Sequence, residues 1–414
     1  GTLPILGNTV ATLLYRHQFY DWHLENCERF QSPWRVHIFG RGPAVVIASP
    51  ALFEDVLKTH FDSFPKDESM CEIFRDFFGR GIFAVNGDEW RRHRHTASNL
   101  FSFQMLKRVM YEVVKDKTAT LSDVLAEYAA TKRTVSLKTV LNHFTCDVFV
   151  KVGFGVEQRA LESDLQGKPI DSFVSAATTI SRVMYLRFLT PTWLWQLKRR
   201  WDTSDERQLR KSVAFIDAVA YKIINKSILE KHRFRQEVRS RSFNGHDQSP
   251  HDVELPTRDL ISMFMESNAL ASPSSDPQEQ EEEEMDPKVI RDMVVSFFAS
   301  GSDTTCQSLL SFIMMMNRYP RVLKKVRTEL RAKLPGLQHK DAELPSMADL
   351  SCLIYLEAVI RENLRLNPAI PVTTRAASVD TVLSDGTFVP RGTRVVLSIY
   401  SLMRSRVVWG DDAL

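Results

Sequence analysis

The sequence contains few cysteines for its 414 residues and no large excess of either charge. The five cysteines show no paired spacing, which argues against a disulfide framework and predicts free thiols in a reducing compartment. They are Cys27, Cys71, Cys146, Cys306 and Cys352. A formal net charge of +3 is too small to indicate a nucleic-acid-binding protein. With 43% hydrophobic and 25% charged residues, the composition is that of a globular protein.

The sequence also lacks an internal repeat, a signal peptide and a leading apolar anchor. Because residue 1 is glycine and not methionine, we predict that the native start precedes it. His93 and His95 stand two residues apart, so they point to different sides of a helix and do not form a metal-binding pair. Residues 79–84 match a dinucleotide-binding fingerprint, but no strand precedes them, so we attribute the match to chance.

Helical periodicity dominates the chain from Pro50 onward. The segments predicted as helices are 88–101, 104–130, 138–153, 170–189, 205–235, 286–318, 320–334 and 351–365. Strand-type alternation occurs only near the two ends, as a hairpin with a Gly/Pro turn at 36–48 and as strands at 371–399. The sequence therefore predicts a mainly α protein with small β-sheets (α+β).

Two polar stretches, 236–256 and 271–284, interrupt the helical pattern. The second ends in the glutamate run 281–284, and an acidic run of this kind is usually a solvated, mobile loop. It separates helices without separating domains. We therefore predict one domain over residues 1–414, with an acidic mobile linker at 271–284.

The longest predicted helix, 286–318, has clear start and stop signals. Asp286 is a suitable N-cap, Pro287 fits the first helical position, and Tyr319-Pro320 ends the pattern. At about 1.5 Å per residue the helix spans on the order of 50 Å, enough to cross a whole domain. Apolar residues cover most of its surface, which predicts burial on most sides.

The centre of this helix is unexpectedly polar. Gly301 weakens a helix, and the hydroxyl groups that surround it compete for carbonyls one turn back. A buried Asp303 carboxylate followed by the Thr304 hydroxyl suits proton delivery through water to a bound oxygen species. A plain core helix with a hydrogen-bonded aspartate also explains the pattern. A membrane span over 293–316 is the third interpretation, although an aspartate at mid-bilayer is costly.

Two further residue pairs have functional spacing. Trp90 and Arg94 are four apart and share a helix face, so an N–H donor and a fixed cation could bind one anionic group together. The alternative is an ordinary basic helix face. Glu362 and Arg365 are three apart and can form a local ion pair, a spacing that is common on surface helices.

Taken in order, Trp90-x-x-x-Arg94, the run 299–305 and Glu362-x-x-Arg365 resemble the cytochrome P-450 superfamily, the haem-thiolate monooxygenases. The resemblance covers nearly the whole chain and implies the cytochrome P-450 fold. In that family a Phe-x-x-Gly-x-Arg-x-Cys-x-Gly loop follows these motifs and supplies the cysteine that binds the haem iron. The sequence ends at Leu414 before such a loop. We therefore expect a fold truncated at its C-terminus and assign no metal ligand.

The resemblance also implies roles for individual residues. In the family the matching aspartate and threonine relay protons, which assigns Asp303 and Thr304 as catalytic. Residues implied to bind the haem cofactor are Trp90, Arg94, Arg375 and Gly301. Glu362 and Arg365 are implied to be structural. Residues implied to line the substrate site are Phe83, Phe298, Ser300 and Val372.

Residues 60–101 look most like the fatty-acid ω-hydroxylase branch of the family. This branch implies haem b, a fatty-acid substrate, NADPH-derived electrons through a reductase partner, and the cytoplasmic face of the endoplasmic reticulum membrane. Residues 3–8 look like the hinge that follows a membrane anchor. Three tryptophans and three cations within 187–201 suit a membrane surface. A catalytically inactive lipid-binding member and a haem-thiolate isomerase or dehydratase are the alternatives.

Overall fold

The computed structural model describes Leu3 and residues 5–100, 110–165, 172–243, 286–338 and 344–413. The predicted acidic linker at 271–284 lies outside the described residues. The polar stretch at 236–256 was predicted to interrupt the helical pattern, but its first part is helical, because a helix continues to Phe243. Residues 244–256 lie outside the described residues.

Helices make up most of the described chain. The helices of the first half are α1 Thr9–Leu14, α2 Phe19–Phe30, α3 Pro50–Glu54, α4 Glu68–Phe78, α5 Gly87–Leu100, α6 Tyr111–Thr131, α7 Leu137–Phe154, α8 Ala160–Leu165 and α9 Ser172–Leu189. Those that follow are α10 Thr192–Arg200, α11 Ser204–Phe243, α12 Pro287–Arg318, α13 Pro320–Lys333, α14 Met347–Leu350, α15 Ile354–Leu366, α16 Ile399–Leu402 and α17 Arg406–Trp409. The predicted mainly α architecture with small sheets is confirmed.

Six short strands within the described residues form two sheets. They are β1 Trp34–Val36, β2 Ala44–Ile47, β3 Val372–Ala376, β4 Thr381–Val382, β5 Phe388–Val389 and β6 Arg394–Ser398. The larger sheet has the order β1-β2-β6-β3, and β4 pairs with β5 in the smaller one. Because β2 and β6 are parallel partners, the N-terminal hairpin and the C-terminal strands build one sheet. The sequence pattern predicted the strands at both ends and the hairpin of β1 with β2, but not the pairing of β2 with β6.

The long helix α12 packs against five other helices, α4, α7, α11, α13 and α15. The Asp286 carboxylate accepts a hydrogen bond of 2.9 Å from the Lys288 N–H, and Pro287 opens the helix, as the sequence predicted. Its N-terminal half packs into the main core, in which Val294 and Val295 are completely buried. None of the described helices, α12 included, is long and apolar enough to cross a membrane.

Close approach of α7 and α12 requires a glycine at position 301. A Cβ atom on Gly301 would lie 2.1 Å from Cε1 of the buried Phe149 ring. Nearby, Gly153 on α7 also faces α12, but its Cβ would lie 3.7 Å from Val294 Cγ1, an ordinary contact. Gly301 therefore faces α7 and sets the separation of the two helices at this point.

Replacing Gly301 with alanine is expected to destabilise the protein by about 1–3 kcal/mol, because the added methyl group overpacks the α7–α12 interface. Gly153→Ala is the matched control. It is expected to be neutral or to stabilise by up to about 1 kcal/mol, since alanine favours a helix over glycine. Urea unfolding of both variants measures the difference. Equal free energies of unfolding would show that the Phe149 ring moves aside freely and would contradict the prediction.

Candidate functional site

The polar centre of α12 carries a stripe of hydroxyl groups on one face. The Ser300 hydroxyl donates to the Phe297 carbonyl at 2.9 Å, and the Thr304 hydroxyl donates to the Ser300 carbonyl. The Ser308 hydroxyl continues the series with a 2.9 Å bond to the Thr304 carbonyl. Residues four apart share a helix face, so these half-buried hydroxyls line one side of α12. Each is satisfied by backbone within its own helix.

Asp303 points away from this stripe. Successive helical residues are about 100° apart, so the residue before Thr304 is directed to a different side. There the carboxylate accepts a hydrogen bond of 2.8 Å from the Ser181 hydroxyl on α9. The sequence analysis expected a buried carboxylate, and this expectation was wrong, because Asp303 is exposed. Asp303 and Thr304 are adjacent in the sequence but have different surroundings in the structure.

Hydrogen bonds connect the C-terminal end of the hydroxyl stripe to α15, the helix that carries Glu362 and Arg365. The amide of the buried Asn363 on α15 donates to the Ser311 hydroxyl at 3.1 Å and to the Ser308 carbonyl at 3.4 Å. These bonds join α12 to α15 next to the Glu362–Arg365 pair. Asn363 was not identified from the sequence, although it lies inside the Glu-x-x-Arg motif.

Glu362 and Arg365 form the ion pair that their spacing predicted, at 2.7 Å. The pairing lowers the pKa of Glu362 and raises that of Arg365. Arg365 is buried and also donates to the carbonyls of Met403 and Ala413, whereas the Glu362 side chain is 55% exposed. The Arg365 guanidinium carbon lies 4.9 Å from the centre of the Trp409 ring, a cation–π contact. The arginine therefore ties α15 to the two segments that follow β6.

Trp90 and Arg375 belong to a cationic cluster that includes one residue missed by the sequence analysis. The Lys66 ammonium lies 5.1 Å from the Trp90 ring centre and donates to the Val85 carbonyl at 2.7 Å. Burial, with a smaller contribution from the neighbouring Arg375 charge, lowers the pKa of Lys66 to about 8. Burial also lowers the pKa of Arg375. Arg94 lies exposed one turn after Trp90 on α5.

This cluster fits the carboxylates of a haem. Two cations whose charged forms are disfavoured by burial would each be stabilised by an adjacent anion. The indole N–H of Trp90 and the guanidinium of Arg375 add donors suited to carboxylate oxygens. Lys66 lies within residues 60–101, the segment that resembles the fatty-acid ω-hydroxylase branch, but nothing in its spacing indicated that it would lie near Arg375 of the C-terminal sheet.

Lys66 gives the stability of haem-free protein a defined pH dependence. Because its pKa is about 8 in the folded state and 10.5 as the ordinary value, the unfolded state binds more protons between these limits. The free energy of unfolding is therefore expected to rise as the pH increases from about 8 to 10.5. Lys66→Met should flatten this rise, measured by urea unfolding at several pH values. The exposed Lys58→Met is the control and should keep the slope. Identical slopes for the protein and Lys66→Met would refute the assignment.

The residues expected to line a substrate site lie in different places. Phe83 is half-buried, and its ring centre lies 5.1 Å from that of Phe78 beside α4. Phe298 is buried in the main core, 5.2 Å from the Phe173 ring. Val372 is half-buried in β3, opposite Ser398 of β6. The structure thus groups Phe83 with an aromatic cluster that the sequence analysis did not identify. Its members are Phe74, Phe78, Phe83 and Phe188.

The cysteines are mostly buried thiols. Cys27, Cys71, Cys146 and Cys306 are buried, as expected, whereas Cys352 is half-buried. Burial raises the pKa of Cys71 and of Cys306, which favours the protonated thiol over the thiolate that binds a metal. These two positions therefore do not resemble thiolate ligand sites.

The long helix with a polar centre and the Glu-x-x-Arg helix are both present, as the resemblance to the haem-thiolate monooxygenases implies. The family model described as cytochrome P450 matches residues 1–413. The chain belongs to the cytochrome P450 family, which confirms the resemblance drawn from the sequence.

Individual relatives support the same assignment. Cytochrome P450 94C1 of Arabidopsis thaliana is 31% identical, over 92% of this chain and 71% of its own length. Cytochrome P450 704B1 of the same plant is 29% identical over the whole chain and 78% of its own length. Cytochrome P450 94A2 of Vicia sativa is 26% identical over 99% of this chain and 72% of its own length.

Proposed function

We propose that this protein hydroxylates a fatty acid by inserting one oxygen atom from dioxygen into a C–H bond. The single observation that carries the proposal is the polar centre of α12, where Asp303 and Thr304 interrupt an otherwise apolar helix. Polar groups in such a position break the local consistency of the sequence, and breaks of this kind mark functional sites. Haem b is the cofactor, and NADPH supplies electrons through a reductase partner.

Four residues would hold the haem propionates: Lys66, Trp90, Arg94 and Arg375. The bound haem would supply the activation of dioxygen. Lys66, Arg94 and Arg375 would supply positive charges to the propionates and Trp90 an N–H donor. Thr304 and Asp303 are the donor and acceptor groups for protons. Gly301 allows α12 to approach α7, and Glu362 with Arg365 fixes the position of α15.

An aromatic cluster supports a hydrophobic substrate. The rings of Phe74 and Phe188 are 5.5 Å apart and join α4 to α9. Phe83 contacts the same cluster, and Ser300 is the small half-buried residue on the hydroxyl stripe of α12. A surface of this composition is suited to an alkyl chain. The segments that resemble the fatty-acid ω-hydroxylase branch favour a fatty acid among hydrophobic substrates.

Exposed apolar side chains support binding to the cytoplasmic face of the endoplasmic reticulum membrane. Leu14 on α1 is 74% exposed, Trp193 on α10 is 54% exposed, and Trp201 just after α10 is 70% exposed. Basic residues 198–200 stand beside them, a combination suited to the lipid headgroup region. Trp195 departs from the predicted pattern because it is buried under Arg187.

The test is oxygen incorporation by the native haem-loaded protein. We would supply NADPH, a reductase and fatty acids of increasing chain length under isotopically heavy oxygen gas, and analyse products by mass spectrometry. The expected result is a hydroxy acid that carries one heavy oxygen atom and forms only with NADPH. Fatty-acid binding without any oxidised product would instead favour the inactive lipid-binding alternative. Turnover that needs neither dioxygen nor NADPH would favour an isomerase or dehydratase.

A further inference from the structure

A small cavity with a mixed apolar and polar lining lies beside Asp303, on the side of α12 that faces α7 and α9. Its volume is about 20 Å³, which is room for about one water molecule. The polar residues that line it are Asn142, Thr178, Ser181, Ser302 and Asp303. A water molecule becomes ordered when it finds two to four polar partners, and this cavity offers that number.

The Ser181 hydroxyl fixes the carboxylate at the edge of this cavity. It donates to Asp303 Oδ2 at 2.8 Å across the gap between α9 and α12. A hydrogen bond from a hydroxyl to a carboxylate is stronger than one between neutral groups. Beside it, the hydroxyls of Thr145 and Ser302 form a buried contact of 3.4 Å between α7 and α12. The polar lining of the cavity therefore comes from all three helices: the Asn142 amide from α7, the Thr178 and Ser181 hydroxyls from α9, and Ser302 with Asp303 from α12.

Asp303 is oriented toward this cavity and solvent, while the Thr304 hydroxyl is engaged within α12 by the Ser300 carbonyl. Asp303 and Thr304 therefore have separate surroundings. Because the carboxylate is exposed and the hydroxyl is half-buried, solvent reaches the carboxylate more readily. Without Ser181 the exposed aspartate side chain would be free to take other rotamers, since nothing else described on α9 donates to it.

We propose that Ser181 is a positioning residue that holds the Asp303 carboxylate against a water molecule in the α7–α9–α12 cavity, through which Asp303 exchanges protons with solvent. The carboxylate takes a proton from this water and becomes a neutral carboxyl group. It returns to its charged form when it gives the proton to a second water molecule, which is the acceptor, while solvent protonates the hydroxide left in the cavity. The inference rests on the proposed monooxygenase function.

The test compares Ser181→Ala, Ser181→Thr and Ser175→Ala in the native haem-loaded protein. Ser175 is an exposed serine on the same helix, outside the cavity lining, and serves as the matched control. Hydroxylated product is measured per NADPH consumed, together with the solvent deuterium isotope effect. Crystal structures of the same proteins report the Asp303 rotamer and the cavity water, independently of activity. Substrate affinity and melting temperature check that the fold is unchanged.

We expect Ser181→Ala to lower product per NADPH about tenfold, the size of effect that one hydrogen bond to a charged group produces. The solvent isotope effect should increase, and the Asp303 side chain should leave the position it has in the native protein. Ser181→Thr keeps the hydroxyl and should restore the product per NADPH, the solvent isotope effect and the Asp303 side-chain position. Ser175→Ala should match the native protein.

Two results would overturn the inference. One is a Ser181→Ala protein with native coupling and an unmoved Asp303 side chain. The other is a loss that Ser181→Thr does not restore, because the hydroxyl would then not be the group responsible. If the native protein forms no oxidised product, the proposed function fails. The crystal structures still decide whether Ser181 holds Asp303 beside a cavity water.

Discussion

Arg365→Ala is expected to lower the free energy of unfolding by about 3–5 kcal/mol, the usual cost of breaking a buried charge network. The buried guanidinium serves four partners, so its loss leaves the carbonyls of Met403 and Ala413 without their donor. It also removes the stacking contact with Trp409 and the partner of Glu362. The charge that remains behind, Glu362, is more than half exposed and can be hydrated. We therefore expect a loss near the lower end of the range.

Arg361→Ala is the matched control on the same helix. Arg361 pairs with Glu357 at 2.7 Å, but both side chains are largely exposed, so the change should stay within about 0.5 kcal/mol. Chemical denaturation of the two variants provides the comparison. Similar losses for Arg361→Ala and Arg365→Ala would show that the contacts to Met403 and Ala413 add nothing to stability.

Asp303→Asn is expected to reduce the rate of substrate hydroxylation about 10²-fold, the lower limit of the usual contribution of a proton-transferring side chain. The amide has the shape of the carboxylate and can still accept a hydrogen bond from Ser181, but it cannot carry a proton. The loss should appear in the turnover rate and not in substrate affinity, because Asp303 is exposed, is bonded to Ser181 and is not a member of the Phe83 aromatic cluster.

Gln307→Ala is the control for this measurement, since Gln307 is exposed one turn after Asp303 on α12. Turnover and substrate binding are measured separately for both variants in the haem-loaded protein. An Asp303→Asn protein that hydroxylates at the native rate would remove Asp303 from the proton path. A loss confined to substrate affinity would assign it a binding role.

Local features of the sequence predicted the helices well. The N-cap at Asp286, Pro287 and the Tyr319-Pro320 stop act within a few residues, so the limits of α12 were predicted to within one residue. The ion pair of Glu362 and Arg365 was equally predictable because three-residue spacing on a helix brings side chains together. The helices α2 and α4 were not predicted, although Asp67 caps α4 and the apolar residues of α4 recur at helical spacing.

Contacts between distant segments could not be predicted in the same way. Lys66 lies near Arg375 because β3 runs beside the segment before α4, where the Ala376 N–H donates to the Pro65 carbonyl at 3.0 Å. These two segments are more than 300 positions apart in the sequence. The parallel pairing of β2 with β6 has the same origin. Asn363 was overlooked because its partners, Ser308 and Ser311, lie on another helix. The sequence of one segment does not indicate which other segment will pack against it.

The sequence alone determined the family, the helices and the identity of the polar residues on α12, because motifs, caps and periodicity are local properties. Only the tertiary structure decided the surroundings of those residues. Packing of α9 against α12 left Asp303 exposed and bonded to Ser181, whereas packing of α7 required glycine at position 301. Burial and pairing depend on which helix covers each face, and that is determined by the assembly of the whole core.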